Sequence, residues 1–188
     1  MIPRLYHWKN EPAEWSLDEN RLTITAGGLT NWFISPRDGA FTASGPTLLF
    51  EAAQDFIFSA RVTSNLPAQW DAGMLMAYAD DTTWAKLAFE KSIYQEPTVI
   101  SVVTRGISDD CNSVSVEGNS VWLRLDKTGD TITFFYSLDG TGWRQVRVFT
   151  LGPVTDLQVG MGAQSPIGQG ATAEFTEITY RPDKSSLG

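Results

Sequence analysis

The chain has 188 residues, 42% of them hydrophobic and 19% charged, which fits one domain with a sizeable core and excludes a disordered acidic chain. Lys and Arg total 14 against 22 Asp and Glu, and the net charge of -8 repels nucleic-acid phosphates and anionic membrane surfaces. One cysteine, Cys111, excludes an intrachain disulfide, and one histidine, His7, excludes a triad or metal site built on several histidines.

Residues 1–8 lack a basic region followed by an apolar stretch, so no secretory signal is read there. No window reaches the roughly 20 apolar residues of a spanning helix. With the lone cysteine, this predicts a cytoplasmic protein. At most a helical turn or two fits near 8–15 or 66–70. Short runs with period-two alternation follow one another along the rest of the chain: 21–25, 31–34, 48–51, 55–63, 73–78, 83–90, 98–105, 113–116, 121–126, 131–138, 144–150, 157–163 and 171–180. The breaks carry turn chemistry: Asp139-Gly140 suits a tight hairpin, and Glu117-Gly118-Asn119, Lys127-Thr128-Gly129-Asp130 and Pro166-Ile167-Gly168 are turn clusters. No linker or repeat interrupts them, so 1–188 reads as one β-sandwich domain with a tail, 182–188, expected to fray.

Alternation also assigns faces. In 83–90, Ala85, Leu87 and Phe89 form an apolar face opposite Trp84, Lys86, Ala88 and Glu90. In 121–126, Val121, Leu123 and Leu125 oppose Trp122, Arg124 and Asp126. In 99–105, Ile100 and Val102 alternate with Ser101, Val103 and Arg105. Two strands thus pair a tryptophan with a cation on the side away from the core. A solvated face favours Lys, Glu and Thr without Trp. Aromatic planes beside charged hydrogen-bonding groups compose a ligand surface, and a large twisted sheet would make it concave. The same residues also fit a satellite cluster under a loop, with Lys86 and Glu90 in an ionic network.

Several motifs stand in order along the chain: Asp71-Ala72-Gly73-Met74-Leu75-Met76, Trp84-Ala85-Lys86-Leu87-Ala88-Phe89-Glu90, and Ser101-Val102-Val103-Thr104-Arg105-Gly106 with Ser108-Asp109. Val121-Trp122-Leu123-Arg124-Leu125, Ser137-Leu138-Asp139-Gly140 with Trp143, and Val159-Gly160-Met161-Gly162-Ala163 with Ser165-Pro166 follow. In these the sequence resembles the family called domain of unknown function 1349, which includes a fungal regulator of enolase. The resemblance implies an all-β fold: a two-sheet antiparallel β-sandwich, or jelly roll, of the concanavalin A-like lectin and glucanase type. It is similar as well to the sandwich appended to some family 43 glycoside hydrolases. It implies no catalytic residues. Its motifs carry the cluster Asp71, Lys86, Glu90, Ser108, Asp109, Trp122 and Arg124.

Glycoside hydrolysis needs two carboxylates, about 5–5.5 Å apart for retention or about 6.5–9.5 Å for inversion. Glucanases of this fold carry them in Glu-x-Asp-x-x-Glu or Glu-x-Asp-x-Glu runs, and none occurs here. Glu174 and Glu177, three apart, fall on opposite faces of a regular strand. Cations at Lys86 and Arg124 would lower a neighbouring carboxyl and spoil it as a general acid. Asp80-Asp81 reads as a turn rather than a metal site, and acidic neighbours disfavour the Cys111 thiolate. The expected function is a non-catalytic binding module for a carbohydrate or polar metabolite. Trp84, Lys86, Glu90, Arg105, Trp122 and Arg124 would form its face, with Asp71 and Asp109 from loops. A protein–protein regulator of a metabolic enzyme and a hydrolase using Glu90 or Asp109 are the alternatives. No cofactor, metal, nucleic acid or membrane is expected to take part.

Overall fold

Sixteen strands and no helix make up residues 5–182, the part of the chain that the computed structural model describes. The expected fraying of 183–188 lies outside them, and Pro182 closes the last strand. In chain order the strands are β1 (His7–Lys9), β2 (Glu14–Asp18), β3 (Arg21–Gly27), β4 (Trp32–Ile34), β5 (Phe41–Ala43), β6 (Thr47–Glu51), β7 (Phe56–Ser64) and β8 (Ala72–Asp80). Then come β9 (Thr83–Lys91), β10 (Pro97–Arg105), β11 (Ile107–Ser115), β12 (Ser120–Thr128), β13 (Thr131–Ser137), β14 (Arg144–Phe149), β15 (Gln158–Gln164) and β16 (Gly170–Pro182). No helix among the described residues is long and apolar enough to cross a membrane.

Two seven-stranded antiparallel sheets face each other. The first runs β1-β6-β15-β8-β9-β10-β11, the second β14-β13-β12-β7-β16-β3-β2. Strict alternation on β3, β7 and β12 turns Leu22, Ile24, Phe58, Val62, Leu123 and Leu125 inward to meet Leu75, Leu87, Phe89 and Val103 of the first sheet. This is the two-sheet sandwich expected from the strand pattern. Where helical turns were expected, the chain makes β1 and β2 instead. Residues 66–70 form an irregular loop with Leu66 and Trp70 in the left-handed region.

The first sheet is apolar on both sides. Its outer face carries Ala72, Met74, Met76, Trp84, Ala88, Ile100 and Val102, and β4 drops Trp32 onto them as a second core. The two-stranded β4–β5 unit is pinned there by Ile34, whose backbone N–H donates to Ser108 Oγ at 2.8 Å. Trp32 packs edge-on against Trp84 and Tyr78, with ring centroids 5.6 and 5.8 Å apart. Two-sided burial explains why β8 and β9 read as nearly unbroken apolar runs.

Candidate functional site

The register of β9 sets the site. Lys86 stands opposite Met76 on β8 and Val102 on β10, and Glu90 stands opposite Ala72 and Thr98. Both point away from the main core, under or beside the β4–β5 unit. Lys86 is buried. Its ammonium donates to the Trp32 carbonyl and to Gln164 Oε1, each at 2.8 Å. Gln164 is held in turn by donation from its Nε2 to the Trp70 carbonyl at 3.1 Å. Three segments remote in sequence therefore meet on one ammonium.

Glu90 is 6% exposed, and its carboxyl has no hydrogen bond or ion pair among the described residues. Burial pushes it up to about 7. Lys86 opposes that rise, while Asp110 and Asp71 add to it. Burial lowers Lys86 to about 8 against the pull of Glu90 and Asp110. Asp71 is fully buried; its Oδ2 accepts from the Ala68 N–H at 2.7 Å, and its Oδ1 has no partner. Ser165 Oγ is likewise buried and unpartnered. A Cβ on Gly168 would lie 2.6 Å from that hydroxyl and 3.1 Å from Asp71 Oδ1, so the two oxygens border one small space that only glycine leaves free.

Trp70 completes the arrangement. It holds φ at +66° and is 38% exposed. A bulky residue in the left-handed region costs about 1–2 kcal/mol. Two hydrogen bonds hold it there: its N–H donates to the Lys91 carbonyl at 2.7 Å, and its carbonyl accepts from Gln164. Strain of this kind concentrates at functional sites. The left-handed Trp70, the buried Lys86 and the unpartnered Glu90 thus belong to one connected patch.

Of the eight residues singled out in the sequence, the fold brings four together: Asp71, Trp84, Lys86 and Glu90. Trp84 is fully buried against Trp32, so its ring is packing and not an open stacking platform. Arg105 and Asp109 do not join this patch. Arg105 donates to the Thr150 carbonyl at 3.3 Å, and Asp109 accepts from Arg147 at 2.8 Å, so both tie the β10–β11 edge to the second sheet. Asp109 also lies within β11 rather than in a loop.

Trp122 and Arg124 stand on the outer face of the opposite sheet. The expectation of one shared face is corrected here: alternation distinguishes the two sides of a strand but does not say which sheet the strand joins, and β12 pairs with β7 and β13. There Arg61 lies 4.8 Å over the Trp122 ring, and Arg124 lies 5.3 and 5.4 Å from Phe135 and Trp143 while gripping Asp126 with two bonds. Trp122 Nε1 donates to Glu177 at 3.1 Å. The bulge between Thr176 and Thr179 brings Glu177 onto that face, which also carries Glu174, where a regular strand would have turned them to opposite sides.

Two further expectations are refined. Arg124 is remote from Glu90, and burial outweighs Lys86, so the Glu90 carboxyl rises where neighbouring cations were expected to lower it. Asp80 accepts from the Thr82 N–H and hydroxyl, and Asp81 pairs with Lys9 and Tyr78; among the described residues no group of three or more His, Cys, Asp or Glu is set to hold a metal. The hairpin aspartate Asp139 accepts from the Thr141 and Gly142 N–H groups, a structural cap that holds its carboxyl well below the usual range. Sequence reasoning missed Gln164, Trp70, Trp32 and Asp110. For Trp32 a signal existed in the unbroken apolar run 72–77, which requires something to cover its second face.

A family model described as protein of unknown function (DUF1349) matches residues 8–183. Among solved structures, a functionally unknown protein from Saccharomyces cerevisiae is similar over 95% of this chain and 96% of its own, with a TM-score of 0.87 and 26% identity. The GH43 protein BlXynB from Bacillus licheniformis matches 97% of this chain with a TM-score of 0.76 and 16% identity, and the match spans 38% of that protein. A legume lectin-like domain from Entamoeba histolytica matches 96% of this chain and 91% of its own, with a TM-score of 0.63 and 9% identity. The last two likenesses establish the lectin-like sandwich fold alone. No curated protein matches the chain.

Proposed function

The chain belongs to the DUF1349 family, and from that premise we propose that it is a non-catalytic binding module whose site is the outer face of the first sheet around Glu90. One observation carries the reading: Glu90 is almost wholly buried, yet among the described residues no group hydrogen-bonds or ion-pairs with its carboxyl. A buried polar group without a partner is costly, so such a group marks a place where a ligand supplies the missing donor. The ligand class is a carbohydrate or another polar metabolite. It enters beside the exposed edge of Trp70 and the exposed Asp110, and Gln164 and Lys86 form the fixed wall behind Glu90. The proposal includes a cytoplasmic location, which the exposed unpaired thiol of Cys111 supports.

Tryptophan fluorescence during titration with mono- and oligosaccharides, sugar acids and sugar phosphates tests it. A saturable change that Glu90→Gln abolishes and Trp122→Ala leaves intact is the expected result. A flat response across the panel rejects the reading. Because a raised carboxyl also suits a glycosidase acid, turnover of aryl glycosides is measured on the same protein. Turnover lost in Glu90→Gln replaces binding by hydrolysis.

A second reading, docking of a protein partner, draws on a different observation. Arg61 on Trp122, and Arg124 between Phe135 and Trp143, form a stacked array on the outer face of the second sheet. Arginine and tryptophan dominate interface energetics. A lysate pull-down of a stoichiometric enzyme, lost in a folded Trp122→Ala and Arg124→Ala double variant, supports this reading.

A further inference from the structure

We infer that the ligand of the Glu90 face carries an ammonium group and that this group docks against the Glu90 carboxylate. The inference rests on the binding reading above and narrows it to one charge class.

The charges on this patch do not balance. Asp71, Glu90 and Asp110 act on this patch, and among the described residues the one ammonium that acts there is Lys86. Lys86 gives its donors to two neutral oxygens, the Trp32 carbonyl and Gln164 Oε1, and is not ion-paired with any of the three carboxylates. The next lysine on the strand, Lys91, turns to the opposite side and donates to the Pro67 carbonyl at 3.2 Å. Arg124 belongs to the other sheet. The patch therefore carries an excess of negative charge: Asp71 Oδ1 is fully buried without a partner among the described residues, and the Glu90 carboxyl, on a residue 6% exposed, has no hydrogen bond or ion pair among them.

A neutral polyol would donate hydrogen bonds to Glu90 but leave the charge uncompensated. A carboxylate or phosphate would add to the excess. An ammonium supplies the donor and the missing charge at once, and the low exposure of Glu90 strengthens the pairing.

The test uses matched probes on the full chain at pH 7: D-glucosamine, its neutral counterpart D-glucose, N-acetylglucosamine with the amine capped, glucuronate, and spermidine as an amine without a sugar. Tryptophan fluorescence gives the affinities. The expected result is at least a tenfold preference for an amine probe over the neutral and acidic ones, weakened by added salt, lost on acetylation and lost in Glu90→Gln. Asp109→Asn, which alters a carboxylate at the sheet edge, leaves the preference intact. Carboxyl NMR of Glu90 gives an independent readout: amine probes shift its titration downward and glucose does not. Glucose or glucuronate binding as tightly as every amine overturns the ammonium assignment while the binding reading stands. No saturation by any amine also overturns it, and the wider sugar panel then decides the binding reading separately.

Discussion

Lys86 on β9 reaches over β8 to bond Gln164 on β15 at 2.8 Å, and so leaves Glu90, on its own strand and its own face, without an ion pair. The buried ammonium is satisfied by carbonyl-type oxygens and serves as a rivet between β4, β9 and β15. That frees the buried carboxylate for something else.

The rivet makes Lys86 a stability residue. Lys86→Met strands the Trp32 carbonyl and Gln164 Oε1 and removes the charge that moderates Glu90. We expect a loss of about 2–3 kcal/mol in urea denaturation at pH 7. Adding Gln164→Leu removes one stranded group. The double variant should cost less than the two single losses summed, by about 1 kcal/mol; strict additivity contradicts the rivet.

Glu90 sets a pH signature. Its carboxyl stands at about 7 in the fold against 4.5 ordinarily, with Lys86, Asp110 and Asp71 as its charged neighbours. Between those values the native state holds a proton that the unfolded chain has released. The native state therefore loses stability as pH rises through that window, and the penalty is complete above it. Glu90→Gln removes the penalty. Its stability advantage over wild type should grow from near zero at pH 4.5 to about 3 kcal/mol at pH 8. A pH-independent difference between the two proteins contradicts the buried, unpaired state of Glu90.

Trp70 separates backbone strain from side-chain packing. Glycine occupies the left-handed region at no steric cost, and alanine does not. Trp70→Gly should therefore be more stable than Trp70→Ala by about 1 kcal/mol. Both should weaken ligand binding alike, as judged by titration. Equal stability of the two variants would show that the loop relaxes out of the strained conformation.

The sheets were legible in the sequence because strand alternation and turn chemistry are local. The inward faces of 83–90 and 121–126 match the core residues of β9 and β12. β1, β2 and β5 were not legible. β1 and β5 span three residues each, too few to show a period, and β2 is largely exposed and carries little apolar alternation. The candidate site was half legible. Lys86 and Glu90 sit on one strand, so their shared face follows from parity. Gln164 and Trp70 reach them only through sheet order and loop path, which are long-range properties. The Trp-and-cation pattern recurs on β12 for a different reason, since Arg124 stacks on Phe135 and Trp143 there.

Gly160 tests the close approach of β15 to β6. A Cβ there would fall 1.8 Å from the Leu48 carbonyl oxygen, a backbone atom that cannot rotate away. Gly160→Ala should cost about 3 kcal/mol or more. A near-neutral thermal shift would mean that the two strands stand farther apart.

The edge of the first sheet has a consequence for life in a crowded solution. β11 ends the sheet with Asp109, Asp110, Asn112, Ser113 and Ser115 exposed along it, and only part of its outer backbone is covered, where Arg147 donates to the Asp109 carbonyl. An open edge is a template on which another chain can add a strand. A second copy joining there antiparallel would set aspartate near aspartate, and like charges across a strand pair repel. Asp110, part of the negative field around Glu90, therefore also guards against growth of the sheet into an aggregate.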